Sequence, residues 1–217
     1  MIRAIVSDFG GVLTTPLSGS FQGFADQSGV ELAALGQALA AVHERDGTNP
    51  LYELECGRLS ESAFVESLRA SLCELLGREV ELAAFADTLW EGLVANETMI
   101  AFMASLRADG YRMALLTNNV REWELRWRAL APIDDIFELV VDSAFVGVRK
   151  PDPEIYELTV TGLGVPAAEC LFLDDIEVNC EGARRAGMPA VVFRDTEQAI
   201  ADVRAVLARD GRSGSVV

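Results

Sequence analysis

The fold is decided by residues 3–12, Arg-Ala-Ile-Val-Ser-Asp-Phe-Gly-Gly-Val. The short apolar run predicts a buried β-strand, and Asp8 follows it directly, with Gly10 and Gly11 close behind. In open α/β sheets the ligand crevice lies outside the carboxyl ends of the strands. The sequence therefore predicts that Asp8 lies at a ligand site.

Three further groups of polar residues follow predicted strands. Thr117-Asn118 and Asp174-Asp175 each come after an apolar run, and Lys150 lies in a loop between a strand and a helix that begins at a proline. Because parallel strands end at one edge of a sheet, we expect these side chains to converge with Asp8. The sequence therefore predicts a phosphoryl-transfer site, built at one edge of the sheet from a carboxylate, a hydroxyl, an amide, an ammonium and a pair of acids.

Asp8 is the candidate nucleophile of this site. An ionised carboxylate attacks phosphorus to form an acyl-phosphate that water later cleaves. The backbone amides of Phe9, Gly10 and Gly11 are candidates for binding phosphate oxygens, because glycine lets the main chain approach an anion closely. An aspartate before two glycines is also common in ordinary turns, so its meaning depends on the other groups.

Thr117, Asn118 and Lys150 are the candidate phosphate-binding side chains. A hydroxyl and an amide at a strand end can hold the transferring group by hydrogen bonds. Lys150 stands before Pro151 in a stiff loop, where its ammonium would neutralise both Asp8 and a phosphate oxygen. A solvent-exposed loop lysine is the alternative, although such a residue has no need of a rigid frame.

Asp174 and Asp175 predict a metal site together with Asp8. Like charges about 4 Å apart repel by about 4 kcal/mol at an effective dielectric constant near 20. One lysine cannot offset three carboxylates, whereas a divalent cation that prefers oxygen ligands can. Mg²⁺ shares its coordination sphere with phosphate and water, so we expect Mg²⁺ here. Glu177 and Asn179 lie one helical turn further on and could support the site.

The pattern of hydrophobic residues predicts an α/β fold, a Rossmann-like parallel sheet with helices on both faces and an inserted helical cap. The sheet and its helices are predicted from residues 1–14 and 96–217, and the cap, a small α-helical bundle, from residues 15–95. The predicted helices are 31–44, 60–76, 82–93, 97–109, 121–130, 153–163, 178–186 and 197–208. The predicted strands after the first are 112–116, 139–141, 171–173 and 190–193.

Composition limits the function further. The chain has 217 residues and a net charge of −16, which argues against a nucleic-acid surface. No apolar run approaches the length of a membrane span, and none resembles a signal peptide. Four cysteines without metal-type spacing are expected to be reduced thiols. We therefore expect a cytoplasmic enzyme, a monomer or homodimer, that acts on a small phosphorylated molecule.

The four groups, in this order along the chain, resemble the signatures of the haloacid dehalogenase-like hydrolase superfamily. The helical cap is similar to that of the phosphatase domain of epoxide hydrolases and of sugar-1-phosphate phosphatases. The resemblance implies that Asp8 is the nucleophile, that Thr117 and Lys150 bind the phosphoryl group, and that Asp175 is a more direct Mg²⁺ ligand than Asp174. It also implies a metal contact from the backbone carbonyl of the residue at position 10.

Gly10 departs from the family pattern, because most phosphatases that this chain resembles carry an aspartate there. Glycine keeps the carbonyl but lacks the carboxyl that protonates the leaving group. General acid catalysis typically raises the rate by about 10²–10⁴-fold. We therefore expect a substrate whose leaving group departs readily, such as a sugar-1-phosphate or an acyl phosphate. Two alternatives remain: a metal-independent dehalogenase in which Asp8 attacks carbon, and a catalytically weak binding protein.

The cap is expected to set specificity, because a lid over the strand ends contacts the part of the substrate that does not react. Its candidate polar residues are His43, Tyr52, Glu53 and Glu55. Trp123 and Trp127 lie four residues apart, and we expect them to serve in the core or in a subunit contact.

Overall fold

The computed structural model describes residues 1–16, 29–82 and 92–209, together with positions 25, 87, 90 and 211. Its strands are β1 (Ala4–Ser7), β2 (Arg112–Thr117), β3 (Leu139–Asp142), β4 (Cys170–Asp174) and β5 (Ala190–Val192). The helices are α1 (Leu32–Asp46), α2 (Pro50–Glu55), α3 (Glu61–Leu76), α4 (Glu97–Ala108), α5 (Glu124–Arg128), α6 (Ile133–Ile136), α7 (Ser143–Val146), α8 (Pro153–Leu163), α9 (Glu177–Arg185) and α10 (Thr196–Arg209).

The five strands form one parallel sheet in the order β3-β2-β1-β4-β5. The chain builds outward from β1 through β2 to β3, and then crosses to the other side of β1 for β4 and β5. The order therefore reverses between β1 and β4, and a crevice opens at the carboxyl ends of strands on either side of such a point. This topology confirms the predicted fold class.

Alternating residues of the strands build a core on each face of the sheet. Ile5 and Leu171 pack with residues of α4 and α10. Val6 and Phe172 point the other way and pack with residues of α8 and α9. Because the sheet is covered on both faces, its strands read as almost continuous apolar runs.

Helices α1, α2 and α3, which lie between β1 and α4 along the chain, form a separate hydrophobic cluster. The segment that leaves the α/β layer lies beside the segment that returns to it, since Thr14 and Ala95 form an antiparallel bridge. This crossing coincides with the predicted boundaries, so we propose that residues 15–95 form the cap. The helix predicted at 82–93 falls largely outside the described residues.

One local prediction was wrong, and the short helices α2, α6 and α7 were not predicted. Residues 121–130 form a 3₁₀ turn (Arg121–Trp123) followed by the short helix α5, in place of one continuous helix. Pro132 follows closely and cannot continue a helix, because it lacks an N–H group. Helix α2 was not predicted, although Asn49 caps it by accepting hydrogen bonds from the backbone of Leu51 and Tyr52.

The four cysteines are free thiols, of which Cys56, Cys170 and Cys180 are buried. No described helix has both the length and the apolar character needed to cross a bilayer.

Gly182 allows α9 to pack closely on the loop before α8. A Cβ atom at this position would lie 2.8 Å from the Tyr156 hydroxyl and 3.0 Å from Pro151. We expect Gly182→Ala to lower the free energy of unfolding by about 1–2 kcal/mol, because overpacking outweighs the better helix propensity of alanine. Chemical denaturation measures the change.

Gly36 in α1 provides the matched control, since a Cβ atom there would meet no heavy atom within 4 Å. We expect Gly36→Ala to raise the free energy of unfolding by about 0.5–1 kcal/mol. Stabilisation by both substitutions would contradict the packing argument.

Candidate active site

The strand ends bring the predicted residues together at one edge of the sheet. Ser7 pairs in register with Leu115 of β2 and with Leu173 of β4. Asp8 therefore lies beside Asp174, and its N–H donates to the Leu173 carbonyl at 2.8 Å. Three segments that are far apart in the chain thus contribute to one crevice.

Lys150 joins two of the carboxylates. Its Nζ lies 2.7 Å from Asp8 Oδ1 and 2.7 Å from Asp174 Oδ2. Its side chain is only 1% exposed, and burial by itself would favour the neutral amine. Attraction to Asp174 and Asp8 outweighs burial and raises the pKa of Lys150, so the ammonium stays charged.

Asn118 holds the backbone of Lys150 with both ends of its amide. Its Oδ1 accepts from the Lys150 N–H at 2.8 Å, and its Nδ2 donates to the Lys150 carbonyl at 3.0 Å. The peptide bond from Lys150 to Pro151 is cis. The side chain that the sequence suggested for phosphate binding therefore positions the lysine loop.

The two carboxylate oxygens of Asp8 differ in their surroundings. Oδ1 accepts from the Phe9 N–H at 2.7 Å and also contacts Lys150. Oδ2 has no hydrogen-bond donor among the described residues. Burial raises the pKa of Asp8 to about 8; Lys150 acts in the opposite direction, and Asp174 and Asp175 raise the pKa further.

Asp174 is fully buried and saturated with hydrogen bonds. Besides the ion pair with Lys150, it accepts from Asn179 Nδ2 at 3.1 and 3.2 Å and from the Ile176 N–H at 2.8 Å. Asn179 thus supports the site from α9, as its spacing suggested. Glu177 instead pairs with Arg184 on the surface, at 2.9 Å.

Asp175 is half-buried and lies against Gly11. Burial, and then repulsion by Asp174, raise the pKa of Asp175 to about 6. Gly11 has a φ of 77°, and a Cβ atom at this position would collide with the Asp175 carboxylate. The Gly11 N–H donates to Thr14 Oγ1 at 3.3 Å. Gly11 therefore makes room for Asp175, and its amide is already engaged within the protein.

Thr117 ends β2 with its side chain buried at the crevice. Its Oγ1 accepts a long hydrogen bond of 3.5 Å from Asn119 Nδ2, which leaves the hydroxyl proton available to a ligand. Gly10 lies two residues after Asp8 and lines the same cavity as Thr117 and Asn118.

The donor set fits a divalent metal ion. One oxygen from each of Asp8, Asp174 and Asp175 lies within 4.8 Å of the others. Burial is the main cause of the raised pKa values of Asp8 and Asp175, and repulsion from the neighbouring acids raises both further. A hard cation with oxygen ligands, such as Mg²⁺, matches both the chemistry and the charge of this cluster.

A cavity of about 270 Å³ lies between the strand ends and the cap helices. Its polar floor includes Gly10, Thr117 and Asn118. The cap side is apolar and is formed by Leu35 and Leu39 of α1, Leu51 and Leu54 of α2, and Phe64 and Leu68 of α3.

Polar contacts fix α2 against the α/β layer. Arg149 Nε lies 2.6 Å from Glu55 Oε2, and the Ser143 hydroxyl donates to the Glu55 carbonyl at 2.6 Å. Burial raises the pKa of Glu55, although Arg149 opposes this effect. The guanidinium of Arg149 also lies 3.9 Å from the ring centre of Tyr52.

Of the candidate polar residues of the cap, Glu55 lines the cavity. Tyr52 stacks on Arg149, and Glu53 pairs with Arg58 at 2.7 Å. Trp127 is buried in the core beside Phe9, as expected. Trp123 packs against the core and also lines the cavity.

Residues 2–187 match the haloacid dehalogenase-like hydrolase family. The chain belongs to this family. The match includes all four predicted signatures and the residues of the crevice.

Related proteins agree with this assignment. Over 94% of the chain, the sequence is 26% identical to bifunctional epoxide hydrolase 2 of Rattus norvegicus, of which it spans 39%. Over 62% of the chain, it is 35% identical to Phosphatase MT3486 of Mycobacterium tuberculosis, of which it spans 65%. The chain thus spans well under half of the length of the epoxide hydrolase.

Solved structures of the family share the fold. A HAD-like hydrolase from Porphyromonas gingivalis has a TM-score of 0.72 and 27% identity, with coverage of 95% of this chain and 98% of that one. A HAD family enzyme from Bacteroides thetaiotaomicron, in complex with magnesium and inorganic phosphate, has a TM-score of 0.65 and 21% identity, covering 91% and 98%. An L-2-haloacid dehalogenase from Xanthobacter autotrophicus gives a TM-score of 0.63 and 23% identity, covering 100% and 85%.

Sequence reasoning missed two features of this site. Lys150 itself was predicted, but the fact that it is the single lysine, in a chain whose other basic side chains are arginines and one histidine, was not used. A compact ammonium fits between two carboxylates where a branched guanidinium would not. Arg149 was missed as the partner of Glu55, because no local pattern links residues 94 positions apart.

Removal of the Lys150 charge should destabilise the fold. In Lys150→Met, Asp8 and Asp174 would face each other in the interior without a cation. We expect the free energy of unfolding, measured with urea in the presence of EDTA, to fall by about 3–5 kcal/mol.

Arg184→Met is the matched control, because it removes a cation from an exposed pair with Glu177. We expect a loss of about 1 kcal/mol or less. Equal losses in the two variants would mean that the buried ammonium does not hold the site together.

Proposed function

We propose that the protein is a Mg²⁺-dependent phosphomonoester hydrolase that works through an aspartyl-phosphate on Asp8. The observation that carries this proposal is the buried Lys150, which bridges Asp8 and Asp174 beside the carboxylate of Asp175. The similarity to a mycobacterial phosphatase supports the reaction class. The related fold solved with magnesium and inorganic phosphate supports the choice of ion and ligand.

The contacts of Asp8 suggest the first step. Phe9 and Lys150 hold Oδ1, so Oδ2 is the oxygen that would attack phosphorus. A bond forms between Oδ2 and phosphorus while the bond from phosphorus to the leaving-group oxygen breaks, and that oxygen takes the electron pair. Water then attacks the phosphorus of the aspartyl-phosphate, which releases inorganic phosphate and restores the carboxylate.

The surrounding residues would hold the phosphoryl group during both steps. Thr117 and Gly10 line the cavity, and the Thr117 hydroxyl and the Gly10 N–H would donate to phosphoryl oxygens. The Lys150 ammonium offsets charge at the Asp8 side. When bound by Asp8, Asp175 and the Gly10 carbonyl, with Asp174 in support, Mg²⁺ would neutralise charge on the phosphate.

Gly10 limits the substrates that such an enzyme can use. Without a carboxyl at this position, the departing oxygen receives no proton from the usual place. We therefore propose a substrate with a good leaving group, of which sugar-1-phosphates and acyl phosphates are examples.

The second candidate is a dehalogenase in which Asp8 attacks a halogenated carbon. The fold shared with the Xanthobacter autotrophicus dehalogenase favours it. The three-carboxylate cluster disfavours it, because attack at carbon needs no cation and Lys150 alone leaves the cluster negatively charged.

The free thiols of the four cysteines support a reducing compartment, and we propose the cytoplasm. A small phosphorylated molecule remains the proposed partner. The oligomeric state, monomer or homodimer, stays a prediction from sequence.

Turnover of p-nitrophenyl phosphate tests the main proposal. We expect hydrolysis with Mg²⁺, its loss in EDTA, and a fall in kcat of at least about 10³-fold in Asp8→Asn, because the amide is not a nucleophile. Glu177→Gln, an exposed change on α9, should leave the rate unaltered. Metal-independent turnover of 2-chloropropionate without phosphatase activity would favour the dehalogenase instead.

A series of phosphate esters with leaving groups of increasing pKa tests the role of Gly10. We expect kcat to fall steeply as the leaving-group pKa rises, because no side chain at position 10 supplies a proton. Gly10→Asp should gain at least about 10-fold on alkyl phosphates. Rates that do not depend on the leaving group would count against this explanation.

A further inference from the structure

The cavity above Thr117 has walls of a different chemistry from its floor. The leucine and phenylalanine side chains of α1, α2 and α3 form the cap side, as described above. Trp90 and Trp123 close another side with an edge-to-face contact, 5.8 Å between ring centres. A group that enters from the phosphate site therefore meets almost exclusively apolar surface.

The charge of the cavity is also nearly neutral. Among the described residues that line it, Glu55 is the single ionisable side chain. Glu55 Oε2 is paired with Arg149 at 2.6 Å, so its negative charge is offset within the protein. The cavity therefore offers little attraction to a cationic substrate.

We propose that the non-phosphate part of the substrate is an uncharged apolar group, aromatic or branched aliphatic, bound between the cap helices and the tryptophan pair. This inference rests on the proposed phosphatase function and narrows it. Combined with the need for a good leaving group, it favours aryl phosphates and acyl phosphates of apolar acids over sugar-1-phosphates.

Desolvation explains the preference. A sugar entering this cavity would give up hydrogen bonds between its hydroxyl groups and water. The leucine and phenylalanine walls return none, and the two indole N–H groups of Trp90 and Trp123, which have no partner among the described residues, could replace only a few. An aromatic ring loses no such bonds and packs well against the edges and faces of tryptophan rings. A cavity of about 270 Å³ has room for a ring with a short substituent.

Three aryl phosphates that differ only at the end of a two-carbon tail test the inference. They are 4-ethylphenyl phosphate, 4-(2-hydroxyethyl)phenyl phosphate and 4-(2-aminoethyl)phenyl phosphate. Because the tail ends are remote from the phenol oxygen, the leaving groups are closely matched in acidity. Relative to the ethyl compound, we expect kcat/KM to fall about 10-fold for the hydroxyl compound and about 100-fold or more for the ammonium compound.

Leu39→Gln adds a polar group to the cavity wall at a half-buried position of α1. We expect it to reduce the preference for ethyl over hydroxyethyl by about 5-fold or more. Leu75→Gln, at a site on α3 that is 46% exposed, should leave the preference unchanged. Leu51→Gln provides a second wall variant, and circular dichroism checks that each variant is folded.

A binding measurement separates this inference from the phosphatase proposal. Titration of tryptophan fluorescence with 4-ethylphenylphosphonate and its hydroxyethyl and aminoethyl analogues needs no turnover. Preferential binding of the ethyl compound without hydrolysis of any phosphate would support the apolar site and overturn the phosphatase. Hydrolysis with equal kcat/KM for the three esters, or a preference for the ammonium ester, would overturn the apolar site and leave the phosphatase standing.

Discussion

The architecture depends on one buried ammonium held between two carboxylates. Lys150 contacts Asp8 at the end of β1 and Asp174 at the end of β4, and its ammonium offsets the negative charge that these acids bring into the interior. Desolvation of three charges is costly, and their attraction offsets that cost only with close geometry and further hydrogen bonds. Asn118 and Asn179 supply those bonds, one to the lysine backbone and one to Asp174. With Asp175 nearby, the carboxylates outnumber the ammonium, and this excess of acidic groups is the charge that the proposed Mg²⁺ would offset.

The order of the strands makes this arrangement available. β1 lies between β2 and β4, so the residues after three strands meet without any long loop. The reversal of the order beside β1 keeps the crossover helices away from the crevice and leaves it open to the cap. The polar groups of the candidate site therefore come from strand ends, whereas the apolar helices above them define the shape of the cavity.

The sequence predicted the sheet, most helices and the convergence of Asp8, Lys150 and the acid pair, because each of these features has a local signature. It did not predict which contact each polar group makes. An asparagine after a strand has the same sequence pattern whether its amide binds a ligand or the backbone, and the contact between Asn118 and Lys150 joins residues 32 positions apart. Gly11 likewise suggested an anion cradle, yet the space it leaves is filled by Asp175.

The apolar cavity could not be predicted from the sequence, for a related reason. An apolar stripe on a helix has the same spacing whether it packs against another helix or borders an empty volume, so Leu39 and Phe64 gave no sign of a pocket. The long-range pair of Glu55 and Arg149 was equally invisible, since nothing near either residue identifies its partner.

Arg149 and Lys150 are neighbours in the chain but face opposite ways. Arg149 pairs with Glu55 of α2, and Lys150 pairs with Asp8 and Asp174. Any swing of α2 away from the sheet must break a contact one peptide from the central ammonium. The segment that anchors α2 is therefore also the segment that places the ammonium between Asp8 and Asp174.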